Sequence, residues 1–206
     1  MVCGSRAGGQ RGKARRQSRV SGLGGCADHH HGADDLEFLK KNLMKRICLI
    51  RHAHTPPGSP DESRELSEYG KQQARWMGGR LADHVTAPDM IVCSPAIRTR
   101  QTAGLVSESF GMKGPDIRIE RMLYESTLED YLDVLKQIDE KASSVWLVGH
   151  NWAITALAQN LTGENRLDMV PCTAVWMVFE AEDWRFVCSA NRLETTTIRP
   201  PESGEI

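Results

Sequence analysis

The stretch Lys45-Arg46-Ile47-Cys48-Leu49-Ile50-Arg51-His52-Ala53-His54-Thr55 decides the fold class. Its apolar middle is too short for a helix and bounded like a buried strand. A loop with Pro56, Pro57, Gly58 and Pro60 as breakers follows. Ser67 then serves as an N-cap, with Ala74, Met77 and Leu81 at helical spacing behind it. Strand, loop and helix in this order start an α/β unit.

The pattern repeats outward. Met90-Ile91-Val92-Cys93 reads as a second buried strand, and Pro95 suits the first turn of a helix running to about Phe110, with Ile97, Val106 and Phe110 inward. Ile117 and Ile119 suggest a third strand at an edge. Thr127 caps a helix whose apolar face is Leu128, Tyr131, Leu132, Leu135 and Ile138. Val145-Trp146-Leu147-Val148 forms a fourth strand, and a helix continues through Leu161 to a stop at Gly163. Alternating runs at Ala174–Phe179 and Trp184–Cys188 predict a terminal β-hairpin turning near Glu182-Asp183. The expected architecture is α/β: three α/β/α layers around a mainly parallel sheet. Residues 44–191 form the expected domain, and residues 192–206, with Pro200 and Pro201, a tail.

The 206 residues suffice for one ordinary domain. Apolar residues make up 40% and charged residues 26%, which excludes a collagen-like or coiled-coil chain. A net charge of −1 makes no global electrostatic case for nucleic acid. No apolar run approaches the length of a membrane helix. The first 43 residues hold 8 of the 18 glycines, and residues 1–20 carry six bases and no acid. This basic, Gly-rich leader is expected to be disordered, or to lie upstream of a true start at Met44. Its Cys26, His29, His30 and His31 are poorly placed to share one ion, and no metal or other cofactor is expected. The six cysteines show no Cys-x-x-Cys and no disulfide pattern, so a reducing cytoplasm is the expected compartment.

In a parallel sheet, ligands bind beyond the carboxyl ends of the strands. The first strand ends in Arg51-His52, the second in Ser94-Pro95-Ala96-Ile97-Arg98, and the fourth in Gly149-His150-Asn151. Two guanidiniums and two imidazoles repel one another unless an anion fills the space between them. A dianionic phosphoryl group does so through bidentate arginine contacts. A neutral histidine there can attack phosphorus and carry the phosphoryl group. Arginines then stabilise the charge on the equatorial oxygens.

Arg51-His52, Ser94-Pro-x-x-Arg98 with Gln101-Thr102-Ala103, and Gly149-His150-Asn151 resemble the histidine phosphatase, or phosphoglycerate mutase-like, superfamily. Arg64-Glu-Leu66-Ser67-x-x-Gly70 looks like that family's loop before the first helix. The short chain and the terminal hairpin are most similar to the SixA-type phosphohistidine phosphatases. The resemblance implies His52 as nucleophile, Arg51 and Arg98 as phosphoryl clamps, and His150 as a hydrogen-bond donor to the phosphoryl group. Asn151 joins the substrate-binding set, and Glu125 takes the place of a general acid. It implies hydrolysis through a phosphohistidine intermediate. The substrate would be phosphohistidine on a partner protein, such as a carrier or phosphotransfer domain, with small phosphate esters as the alternative. A phospho-ligand binding module without turnover is the third reading. His54 stands where ester-cleaving relatives often carry Glu, which weakens a mutase reading. Trp152 is expected in the core.

Overall fold

The computed structural model describes residues 43–112 and 117–202. The expectations for residues 1–42, including the Cys/His tract, lie outside these described residues.

Six strands form one sheet in the order β3-β2-β4-β1-β5-β6. They are β1 (Met44–Arg51), β2 (Met90–Cys93), β3 (Ile117–Ile119), β4 (Ser144–Gly149), β5 (Ala174–Glu180) and β6 (Asn191–Ile198). The first four are mutually parallel, β5 runs antiparallel to them, and β6, antiparallel to β5, runs in their direction again. The helices are α1 (Glu68–Ala82), α2 (Ile97–Glu108), α3 (Leu128–Lys136) and α4 (Ala153–Thr162).

Alternation along the strands splits the core in two. Ile47, Leu49, Val145 and Leu147 pack with Tyr131, Leu135, Ile154 and Leu157 of α3 and α4. Cys48, Ile50, Trp146 and Val148 pack on the other side with Ala74, Met77, Ala103 and Val106 of α1 and α2. Helices on both faces make the expected three layers, with β3 at one edge. The predicted caps hold. The Ser67 hydroxyl accepts from the Gly70 amide, Thr127 and Asp130 form a capping box, and Gly163 ends α4 at φ +70°.

The C-terminal end departs from the sequence reading. The hairpin exists, but its second strand is β6, so residues 192–198 belong to the sheet rather than to a tail. Trp184–Ser189 is a 3₁₀ helix, not a strand. The Asp183 carboxylate accepts from the Arg185 amide and closes its first turn. Trp184 and Val187 are buried three residues apart, the period of that helix, while Phe186 between them is exposed. The polar sequence of β6 concealed a strand that is held mainly by its backbone ladder to β5.

Candidate active site

The register brings the three motif ends together. Arg51 lies opposite Gly149 across β1 and β4, and Cys93 lies opposite Val148. The His52 amide donates to Gly149 at 3.0 Å, and the Ser94 amide donates to Val148 at 3.2 Å. His52 and His150 therefore leave adjacent strands side by side, with ring centroids 5.4 Å apart. Arg51, His52, Arg98, His150 and Asn151 line one cleft of about 470 Å³.

The loop from β1 is fastened to the helices on either side. The His54 amide donates to Gln73 Oε1, and the Ser67 amide donates to the His54 carbonyl. A Cβ on Gly70 would lie 2.0 Å from that carbonyl oxygen, so only glycine allows α1 to start here. In the Gln101-Thr102-Ala103 motif, Gln101 Oε1 accepts from the Leu66 amide and Thr102 Oγ1 accepts from the Ala53 amide. Ala103 is buried in the core between α2 and the sheet. Gly149 leaves room for the Tyr131 hydroxyl, which receives the His150 amide.

His52 Nδ1 stands 2.8 Å from the Ala53 carbonyl oxygen, which can only accept. Nδ1 therefore carries the hydrogen and the lone pair is on Nε2. Burial, followed by Arg98 and Arg51 nearby, pulls the His52 pKa down to about 4. The ring is neutral at pH 7. His150 Nδ1 is 3.2 Å from Arg98 Nη2, and its Nε2 is 2.8 Å from Ser94 Oγ. The guanidinium must donate, so Nδ1 accepts and Nε2 donates to the hydroxyl. Burial and the Arg98 charge lower the His150 pKa to about 3.

Arg51 donates through Nη1 to the Met169 carbonyl at 2.7 Å. The Nε atoms of Arg51 and Arg98 are buried and lack a hydrogen-bond partner among the described residues. Two orphaned guanidinium donors suit a site that completes its bonding with an anion. Asn151 lies on the cleft, with its Oδ1 accepting from Thr155 Oγ1 at 2.5 Å.

The structure does not bring Glu125 into the cleft. It is exposed at φ +53° on the turn before α3, and it is absent from the lining. The carboxylate in the cleft is Asp61, which sequence reasoning missed. Asp61 Oδ2 accepts from Arg98 Nη2 at 2.8 Å and from the Tyr124 hydroxyl at 3.1 Å. Its Oδ1 accepts from Arg64 Nε at 2.9 Å. Burial, the largest single effect, pushes the Asp61 pKa up, but the hydrogen bonds from Arg98 and then Arg64, with their charges, outweigh it and hold the carboxyl down at about 2. Arg64 also lines the cleft. The signal for both residues was their spacing of three, Asp61-Glu-Ser-Arg64, beside the Leu66-Ser67 motif. His54, read as a loop residue, is exposed and lines the cleft too. Trp152 is not in the core. It is 82% exposed and stands at the mouth.

Neutral histidines, convergent arginines and a mainly parallel sheet between two helix layers define a phosphatase with the phosphoglycerate mutase-like fold. The chain belongs to the histidine phosphatase superfamily (branch 1), whose model matches residues 47–132. It is a SixA-like histidine-type phosphatase. An uncharacterised protein of Mycobacterium leprae (strain TN) is 32% identical over 120 residues, 55% of this chain and 71% of that protein. The phosphohistidine phosphatase SixA homolog of Haemophilus influenzae is 26% identical over 151 residues, 65% of this chain and 88% of its own. Among solved structures, a candidate phosphohistidine phosphatase SixA from Nakamurella multipartitia superposes with a TM-score of 0.68. It is 24% identical, and the match covers 76% of this chain and 96% of that one.

Proposed function

We propose that this protein removes the phosphoryl group from phosphohistidine on a partner protein, through a phospho-His52 intermediate. The observation that carries the reading is the neutral His52 ring, with its lone pair on Nε2, beside Arg51 and Arg98. In the first step Nε2 forms a bond to phosphorus. The bond from phosphorus to the substrate's ring nitrogen breaks, and its electron pair leaves with that ring, which takes a proton from water. In the second step water attacks phosphorus, the bond to Nε2 breaks, and inorganic phosphate departs. Arg51 and Arg98 hold the equatorial oxygens, and His150 Nδ1 accepts from Arg98 and helps to aim its guanidinium.

Several features favour a protein substrate. The mouth is formed by exposed residues, His54, Asp61 and Trp152, so a phosphorylated side chain can reach in from outside. Among the described residues, no carboxylic acid in the cleft is poised to protonate an alkoxide, because Asp61 is held ionised. A phosphohistidine substrate needs such an acid less, since imidazole is the better leaving group. The relative from Haemophilus influenzae bears the name of a phosphohistidine phosphatase homolog. A cytoplasmic setting accords with the free, buried Cys48, Cys93 and Cys172. No helix among the described residues is long and apolar enough to cross a membrane.

The test is phosphate release from a histidine-phosphorylated carrier domain, run beside p-nitrophenyl phosphate. The expected result is rapid release from the phosphoprotein. In the His52→Ala variant it falls by about three orders of magnitude or more, the scale of losing a catalytic nucleophile. Wild-type rates in His52→Ala would overturn the mechanism. Turnover of the small ester alone would move the function to a metabolite phosphatase.

A further inference from the structure

Trp152 stands out on this molecule. Trp146, Trp176 and Trp184 are buried and Trp76 is half-buried, whereas the Trp152 indole is exposed. Leaving a large aromatic in water forgoes stabilisation that burial would give. Local structure keeps it there. The Ala156 amide donates to the Trp152 carbonyl at 2.9 Å, and the Ile154 amide donates to the His150 carbonyl at 3.1 Å. These bonds form the first turn of α4, and both His150 and Ala153, on either side, are buried. Turning the indole inward would require undoing that turn and expelling its neighbours. A rigid backbone therefore holds an aromatic side chain at the lip of the cleft. The cleft's other rim residues are Pro171 and the polar His54, Thr55, Asp61 and Arg64.

We propose that Trp152 is the specificity-determining residue of this site. Its ring is a platform against which the phosphoryl-bearing group stacks, so the site prefers a carrier with a planar ring, the imidazole of phosphohistidine above all. This rests on the reading of the cleft as a phosphoryl pocket. Two physical effects support it. Offset or edge contact between rings adds attraction beyond burial alone. A phosphohistidine ring protonated at its other nitrogen is a cation, and an indole face attracts a cation. A sugar or glycerol carrier has no ring face of this kind and gains neither.

The decisive experiment separates binding from turnover. Calorimetry would compare phenylphosphonate with methylphosphonate, which share a non-hydrolysable head group and differ in the ring, on wild type, Trp152→Ala and Trp152→Phe. Wild type is expected to bind the phenyl compound about tenfold more tightly, ~1.4 kcal/mol. Trp152→Ala should bring the two affinities within about twofold, and Trp152→Phe should keep most of the preference. In parallel, kcat/KM on a phosphohistidine carrier domain should fall in Trp152→Ala, while competitive inhibition by inorganic phosphate stays at its wild-type level. Equal affinity of wild type for the two phosphonates, or a preference that survives in Trp152→Ala, overturns the proposal. Failure of methylphosphonate and phosphate to bind wild type overturns the phosphoryl-pocket reading and the proposal with it. Retained methylphosphonate and phosphate binding with no ring preference overturns this proposal alone.

Discussion

Arg98 meets Asp61 twice: Nη1 donates to the Asp61 main-chain oxygen at 2.6 Å, and Nη2 donates to the side-chain Oδ2 at 2.8 Å. Arg98 is 5% exposed in the first turn of α2, while Asp61 rides on the exposed loop after β1. A long, buried cation is thus aimed by a residue 37 positions away. Its guanidinium also touches His150. The loop therefore decides where the Arg98 guanidinium points in the cleft.

Asp61→Ala removes the side-chain half of this grip. KM on p-nitrophenyl phosphate is expected to rise several-fold, and Asp61→Asn, which keeps an oxygen acceptor, should recover most of the loss. Because the Asp61 pKa is held down at about 2, the group is a carboxylate throughout the working range. Asp61→Asn should leave both limbs of the pH–rate profile in place between pH 4 and 8. Loss of the alkaline limb in Asp61→Asn would show Asp61 to be a proton donor in the reaction.

The two histidines make anion binding depend on pH. In the empty site their pKa values are lowered to about 4 and about 3, so both are neutral above pH 5. A bound dianion favours the protonated rings and raises both values, so binding takes up protons. Sulfate, a dianion across this range, should bind more tightly as pH falls from 8 to 5, by at most about tenfold per unit for each proton taken up. His150→Gln should flatten this slope, leaving the part carried by His52. A pH-independent sulfate affinity in wild type, followed by calorimetry, would contradict the assignment.

Gly70→Ala tests the contact between α1 and the loop. The new Cβ would meet the His54 backbone, with 2.0 Å to the oxygen and 3.0 Å to the carbonyl carbon, so a main chain must move. Overpacking of this kind costs about 1–3 kcal/mol. Thermal unfolding should show Tm lower by several degrees. An unchanged Tm would mean that the loop yields freely.

Glu125→Gln distinguishes the two carboxylates. Removing a general acid costs about 10²–10⁴-fold. Glu125 is exposed and absent from the cleft lining, so its variant should turn over p-nitrophenyl phosphate at close to the wild-type rate. A loss of a hundredfold would require the turn before α3 to close over the substrate.

The sheet was legible because its signals are local. Apolar runs such as Ile47–Ile50 and Val145–Val148 are long enough to be strands and too short to be helices. Ser67, Thr127 and Gly163 mark helix ends through contacts within a few residues. Where two local readings competed, the sequence misled. Trp184, Phe186 and Cys188 alternate like a strand, yet Trp184 and Val187 dock as one 3₁₀ face, with Trp184 Nε1 donating to the Ala142 carbonyl. Strand β6 carries few apolar residues, and its pairing partner defines it.

The sequence by itself determined that Arg51-His52, Arg98 and His150 stand at or just beyond strand ends, because each motif follows an apolar run or opens the next helix. Only the tertiary structure decided which carboxylate joins them and which way the aromatic beside His150 faces. Glu125 and Asp61 are both acids in loops. Asp61 is the one that reaches Arg98, because the β1–α1 loop folds across the end of β2. Trp152 has the composition of a core residue, but His150 and Ala153 occupy the inward positions around it. Such outcomes depend on side chains far apart in the chain competing for the same space, and no local pattern records that competition.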